Sequence, residues 1–286
     1  MTARSPLAAL LELLRLERLD RDFFVARTPC GEGRLFGGLV AAQAVMAVAA
    51  TVDDPDRPLH SLHAYFLRPG SHGPPIRLGV DRIRDGRTFT TRRVVAWQGG
   101  EAIFNLSASF ARAEEGIAHE DPMPEAPPPE AVPDWEALRA RMLGDPEQRR
   151  PQAIEVRTCD PDDPDGAPQP ASKRVWMRPT GPVPEDPRVH TALLVYASDR
   201  TLLSTAARPH GLPWGRRMVA SLDHAVWIHR PPPRFDDWIL YASHSPAAHA
   251  ARGLVHGALY DPRTRHRIAS VAQEGLIRTP RRPPAG

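Results

Sequence analysis

The chain has 286 residues, 41% hydrophobic and 25% charged, the mixture of a globular protein rather than a disordered or fibrous one. No apolar run reaches the ~18 to 20 residues of a membrane-spanning helix, because Glu12 and Arg15 interrupt Leu7–Leu16, and no cleavable export signal is legible, so a cytoplasmic protein without a membrane span is expected. Thirty-seven basic against 34 acidic side chains leave a net charge of +3, too small and too evenly spread to mark a nucleic-acid binder, and Cys30 and Cys159 form no CxxC pair that would suggest a zinc ribbon or disulfide framework.

In chain order, Leu7, Leu10, Leu11 and Leu14 fall at helical spacing and predict an outer amphipathic helix within the first 20 residues. Phe36–Thr51 is Ala-rich and nearly all apolar, which predicts a buried helix. A strand over Leu59–Pro69 follows, then alternating segments at Ile76–Arg84, Thr88–Gln98 and Ala102–Ala111. Proline clusters at Pro122–Pro133 and Pro161–Pro170 deny the chain the donors and φ freedom of helix or central strand. With a short helix expected at Asp134–Leu143, residues 116–171 form a connector. Beyond it, Val189–Leu203 predicts a second apolar helix. Val219–Pro231, Trp238–Ser243, Gly253–Tyr260 and Arg267–Arg278 follow as strands. The tail Pro280–Gly286 is expected to fray.

The two halves match each other. Tyr65-Phe66-x-Arg68-Pro69 aligns with Trp227-Ile228-x-Arg230-Pro231, and Ala102-Ile103 with Arg267-Ile268, an internal duplication at a period of roughly 160 residues. A helix apolar all round must be covered on most sides. A strongly curved antiparallel sheet wrapped around each helix meets that need, so the fold class is α+β, with repeats at 1–115 and 172–286.

Several chemistries are missing from the sequence. No GxSxG elbow surrounds any serine, Gly31-x-Gly33 lacks the context of a dinucleotide loop, and no Walker-type lysine motif occurs. HExxH is also absent, and His60 and His63, three apart on a strand, point to opposite faces, so no metal site is expected.

Asp199 stands out as an acid in the last part of an apolar helix, where it opposes the dipole. Laid over the first half, Asp199 falls opposite Met46, Ser221 opposite Leu59, and Gln273 opposite Ala108. A carboxylate, a hydroxyl and an amide from three separate elements are the groups needed to hold and activate one water molecule.

FGGLVAAQA (36–44), LHSLHAYFLRPG (59–70), RDGRTFTTRRV (84–94), RVHTALLVYASD (188–199), SLDHAVWIHRP (221–231) and SVAQEG (270–275) together resemble the type II acyl-CoA thioesterase family, whose fold is the double hot-dog. The resemblance implies hydrolysis of acyl-CoA to a free acid and coenzyme A, without a cofactor and without a covalent acyl-enzyme. In that family an Asp, a Thr or Ser, and a Gln position the water, and here they match Asp199, Ser221 and Gln273. Ser221 stands where Thr is more usual, keeping the hydroxyl but not the methyl that stiffens χ1. Gly37 and Gly38 are candidates for the oxyanion contact or for tight helix packing. His60 and His224 are candidate polar contacts to substrate, and Arg252 a candidate for the nucleotide phosphates. Curved sheets with open edges pair readily, so a homodimer or homotetramer is expected. Two alternatives remain open: a hot-dog hydratase or dehydratase using Asp223-His224, although adjacent strand residues face opposite sides, and a non-catalytic acyl-CoA-binding protein.

Overall fold

A computed structural model describes residues 4–144, 152–212 and 218–278; the terminal segment Pro280–Gly286 lies outside them. Helix α1 (Pro6–Leu13) begins at Ser5, whose hydroxyl accepts from the Ala8 N–H, and it buries Leu7 and Leu10. It is shorter than the leucine spacing predicts. The chain leaves it for a hairpin of β1 (Glu17–Asp20) and β2 (Phe23–Ala26).

Helix α2 (Gly37–Ala49) is buried on nearly every side, as its apolar sequence requires. Strands β3 (Leu59–Phe66), β4 (Ile76–Asp85), β5 (Phe89–Gln98) and β6 (Glu101–Ala111) complete the first half, each near its expected bounds. Helix α3 (Trp135–Met142), capped by the Asp134 carboxylate, and β7 (Ile154–Thr158) both fall within 116–171. The alternation Ile154-Glu155-Val156-Arg157-Thr158 is strand-like despite the prolines around it. Its partner β8 (Ser172–Pro179) leads into α4 (Pro187–Ser198). The second apolar helix therefore ends at Asp199, and the short α5 (Ser204–Ala207) starts after a turn. The turn folds Leu202 and Leu203 back into the core. Strands β9 (Met218–Ser221), β10 (Asp223–Ile228), β11 (Ile239–His249), β12 (Arg252–Tyr260) and β13 (Arg267–Arg278) follow.

Among the described residues all strands join one antiparallel sheet, ordered β1-β2-β4-β5-β6-β3-β10-β13-β12-β11-β8-β7, with β9 beside β13. Counted outward from the central β3–β10 pair, the first half runs β3, β6, β5, β4, β2 and the second runs β10, β13, β12, β11, β8. Connectivity repeats across a pseudo-dyad near the His63–Ala225 rung. The α+β double hot-dog follows from this repetition, with α2 and α4 packed together inside the sheet. Inward side chains such as Leu62, Leu78, Val94 and Leu106 in one half, and Val226, Val255 and Val271 in the other, are buried. Each stabilises the fold by roughly 1.5 to 3 kcal/mol. The first turn of α2 meets the last turn of α4, so the helices run antiparallel and an end of each is presented at either side of the molecule.

Candidate active site

At the end of α4 the chain departs from helical chemistry. Asp199 is the residue after the last helical one, where carbonyls point outward and a negative charge is disfavoured. Two donors offset that penalty. Ser221 Oγ, at the end of β9, donates to Asp199 Oδ1 at 3.1 Å, and Gln273 Nε2, from β13, donates to the same oxygen at 2.7 Å. The register carries both donors there. Ser221 pairs with Gly275, and Gly275 has no side chain because Leu203 fills the space a Cβ would take. Gln273 is completely buried, Asp199 and Ser221 half-buried. Sequence positions 199, 221 and 273 thus meet in one cluster.

Asp199 and Ser221 line a cavity of about 480 Å³ whose opposite wall is the start of α2, with Phe36, Gly37, Val40 and Phe66. Gly37 faces the carboxylate: a Cβ there would sit 3.0 Å from Asp199 Oδ2 and 2.6 Å from the Phe66 ring. Phe36 precedes α2 without any side-chain cap and its carbonyl takes the Leu39 N–H at 3.1 Å, so no side chain covers the Gly37 and Gly38 N–H groups at the start of that helix. Gly38 does something different. Its missing side chain lets α2 approach the Tyr196 carbonyl of α4, to which a Cβ would come within 2.7 Å. Gly37 therefore opens the cavity and Gly38 joins the helices.

The family model for acyl-CoA thioesterase matches residues 153–276, and that for the acyl-CoA thioesterase N-terminal domain matches residues 24–111. Acyl-coenzyme A thioesterase 8 of Mus musculus is 38% identical, the match covering 93% of this chain and 88% of that protein. Acyl-CoA thioesterase 2 of Haemophilus influenzae is 37% identical over 94% of this chain and 96% of its own length. The chain belongs to the acyl-CoA thioesterase family. The crystal structure of acyl-CoA thioesterase II TesB2 from Mycobacterium marinum superposes with a TM-score of 0.79 at 40% identity, covering 95% of this chain and 99% of that one. A hot-dog-fold protein from Alicyclobacillus acidocaldarius, 20% identical, shares the fold with a TM-score of 0.78 over 95% and 98% of the two chains.

Not every candidate from the sequence reaches this cavity. His60 lies toward the other end of β3, its Nε2 paired with Ser109 Oγ at 2.9 Å and its ring edge-on to Phe89. Burial holds its pKa below the ordinary imidazole value. Arg252 is ion-paired with Glu274 at 3.0 Å on the sheet and does not line the cavity. Among the described residues the cations that do line it are Arg34, Arg68 and Arg200. Arg68 pairs with Glu101, and Arg200 turns toward Gln152 and Glu136. Asp223 accepts the Glu274 N–H at 2.7 Å while His224 points into the core, so these neighbours form no dyad. Tyr241 gave no signal in the sequence. Its hydroxyl donates to the Ser198 carbonyl at 3.0 Å and ties off the end of α4, and burial together with the Asp199 charge pushes the phenol well above its ordinary pKa. Only the sheet register reveals it, because the two residues lie 43 apart in sequence. Among the described residues no helix is long and apolar enough to cross a membrane, and no three candidate ligands gather as a metal site would need.

Proposed function

We propose that the protein hydrolyses acyl-CoA to a free acid and coenzyme A by direct attack of a water held by Asp199, Ser221 and Gln273. The observation that carries this reading is the convergence of two donors on one oxygen of Asp199. Asp199 Oδ1 accepts from both, which leaves Oδ2, on the Gly37 side, to take the proton of the attacking water. Ser221 uses its hydrogen on Asp199 and keeps lone pairs to accept from that water, while the second N–H of Gln273 adds a donor. The carbonyl oxygen of the thioester gains charge as the new C–O bond forms, and the uncapped N–H groups at the start of α2 offer it donors and a favourable dipole. The C–S bond then breaks, and the proton held by Asp199 passes to the departing thiolate. Oxygen, carbon and sulfur balance without an acyl-enzyme. Arg34, exposed at the rim of the cavity, replaces Arg252 as the candidate for the CoA phosphates.

The same reading keeps the division into two hot-dog repeats, with β7 assigned to the second, and a cytoplasmic homo-oligomer. Tyr65 and Trp227, exposed on the outer face of the central strands, are the candidate contact between copies. Purified protein supplied with acyl-CoA of graded chain length releases free thiol in this account. Loss of enoyl absorbance without thiol release points instead to hydration, and binding without either leaves only a carrier.

A further inference from the structure

Two buried polar atoms next to the cluster have no strict hydrogen-bond partner: Gln273 Oε1 and His224 Nδ1. Both residues are completely buried. The β10–β13 register, with Ala225 opposite Ala272, puts His224 and Gln273 on the next rung, where Gln273 favours a proton on the His224 ring as an acceptor does. On the other edge of the ring, Nε2 lies 2.8 Å from Ser198 Oγ.

The donor inventory allows one assignment that pairs both of these atoms. Asp199 only accepts, so the Gln273 amide must turn its Nε2 toward it, as observed at 2.7 Å. Oε1 then faces inward and needs a donor. His224 supplies one if its proton sits on Nδ1, and Nε2 is then bare and takes the Ser198 hydroxyl hydrogen, which is shared with the Val195 carbonyl 2.9 Å away. With the opposite tautomer, two lone pairs would oppose each other in the core, or the amide would turn its oxygen onto the carboxylate.

The other half of the molecule shows what the fold alone asks of these positions. Across the pseudo-dyad His224 corresponds to Leu62, and Gln273 to Ala108. Leu62 and Ala108 are themselves cross-strand partners and are buried. An apolar pair satisfies the core there. The histidine therefore answers a need other than packing.

We infer that His224 is a positioning residue for the hydrolysis, its Nδ1–H fixing the Gln273 amide so that Nε2 faces Asp199 and the attacking water. This rests on the reading of Gln273 as a water-holding amide. Burial keeps the ring neutral, with its pKa below the ordinary range, which suits a fixed tautomer better than a proton shuttle.

The test is a double-mutant cycle with thioester hydrolysis as the readout. H224L, which copies Leu62, is expected to lower kcat by about tenfold to thirtyfold with KM within about twofold, because a loosened amide misplaces the water. In the Q273A background the same change is expected to alter kcat by less than about twofold, since the group it acts through is gone. His224→Asn, which keeps a donor at the Nδ1 position, is expected to recover most of the loss. Equal losses from H224L in both backgrounds overturn the inference and leave the proposed function standing. Full activity in Q273A removes both. Should H224L fail to fold, nitrogen NMR of the wild-type imidazole decides: a proton on Nδ1 supports the inference, and a proton on Nε2 overturns it.

Discussion

The C-terminal ends of the two central helices are built from opposite chemistries. After α2, Thr51 donates to the Val48 carbonyl, and the buried Arg92 guanidinium bonds both Thr51 Oγ1 at 3.0 Å and the Thr51 carbonyl at 3.2 Å. Arg92 is anchored in turn by Asp85 at 2.6 Å. A cation at a helix C-terminus follows the dipole and closes the end. After α4 an anion, Asp199, occupies the corresponding end and is held by Ser221 and Gln273. Cavity size does not separate the two. The larger cavity, about 800 Å³, lies at the α2 end, where Arg57 and Arg112 pair with Asp54 and Arg188 with Asp186. Each arginine lining it is ion-paired with a carboxylate of the same lining, whereas the carboxylate of the smaller one, Asp199, is held by two neutral donors on one oxygen, with the other left for chemistry. The difference teaches that the candidate site is distinguished by charge opposing local structure, not by volume.

The sharpest way to break this comparison is Asp199→Asn, which preserves shape and removes the base. Turnover is expected to fall at least a hundredfold, within the range assigned to a positioned general base. Unfolding by urea should show an unchanged or higher midpoint, since an acid opposing the dipole is lost. Activity near wild type would take Asp199 out of the mechanism.

The opposite end should respond in the opposite manner. Arg92→Met removes a buried guanidinium and leaves its acceptors unpaired, at a cost of about 2 to 3 kcal/mol in unfolding free energy. Activity per folded molecule is expected to stay unchanged. A loss of kcat comparable with that of Asp199→Asn would erase the distinction between a structural and a chemical helix end.

A smaller effect concerns pH. His224 has its pKa depressed below the ordinary 6.5 by burial, which outweighs the raising influence of Asp199 on α4, Asp223 on its own strand and the Gln273 amide on β13. The unfolded chain then binds a proton that the folded one does not, so this contribution to stability is present above pH 6.5 and is lost as the pH falls toward the folded value. Melting temperature is expected to decline from pH 7.5 to 5.5, and His224→Leu should flatten the decline. An identical pH slope in that variant contradicts the assignment.

Much of this architecture was readable from residues alone. Strands β3 to β6, β10, β12 and β13 alternate over much of their length, and α2 is apolar throughout, because a sheet wrapped around a helix imposes those two periods. Asp199, Ser221 and Gln273 were readable as polar residues opposite Met46, Leu59 and Ala108. The bounds of α1 and α4 were not. Leu14 and Leu203 continue the apolar pattern past each helix end, since a turn can bury them as well as a helix can. Strand β1, exposed at every residue, carries no alternation to detect. Neither His60 nor Arg252 could be excluded in advance, because a strand's face is legible in sequence but the end of the molecule it serves is not. The split between Gly37 and Gly38 rests on which neighbour lies within 3 Å, which only the fold decides.

The most direct test of which helix end cleaves the thioester is a crystal structure with a non-hydrolysable acyl-CoA analogue. The account predicts the carbonyl equivalent within hydrogen-bonding distance of the α2 start at Gly37, with its carbon facing Asp199 Oδ2. A reacting group seated instead in the larger cavity between Ala49 and Arg188 would contradict it.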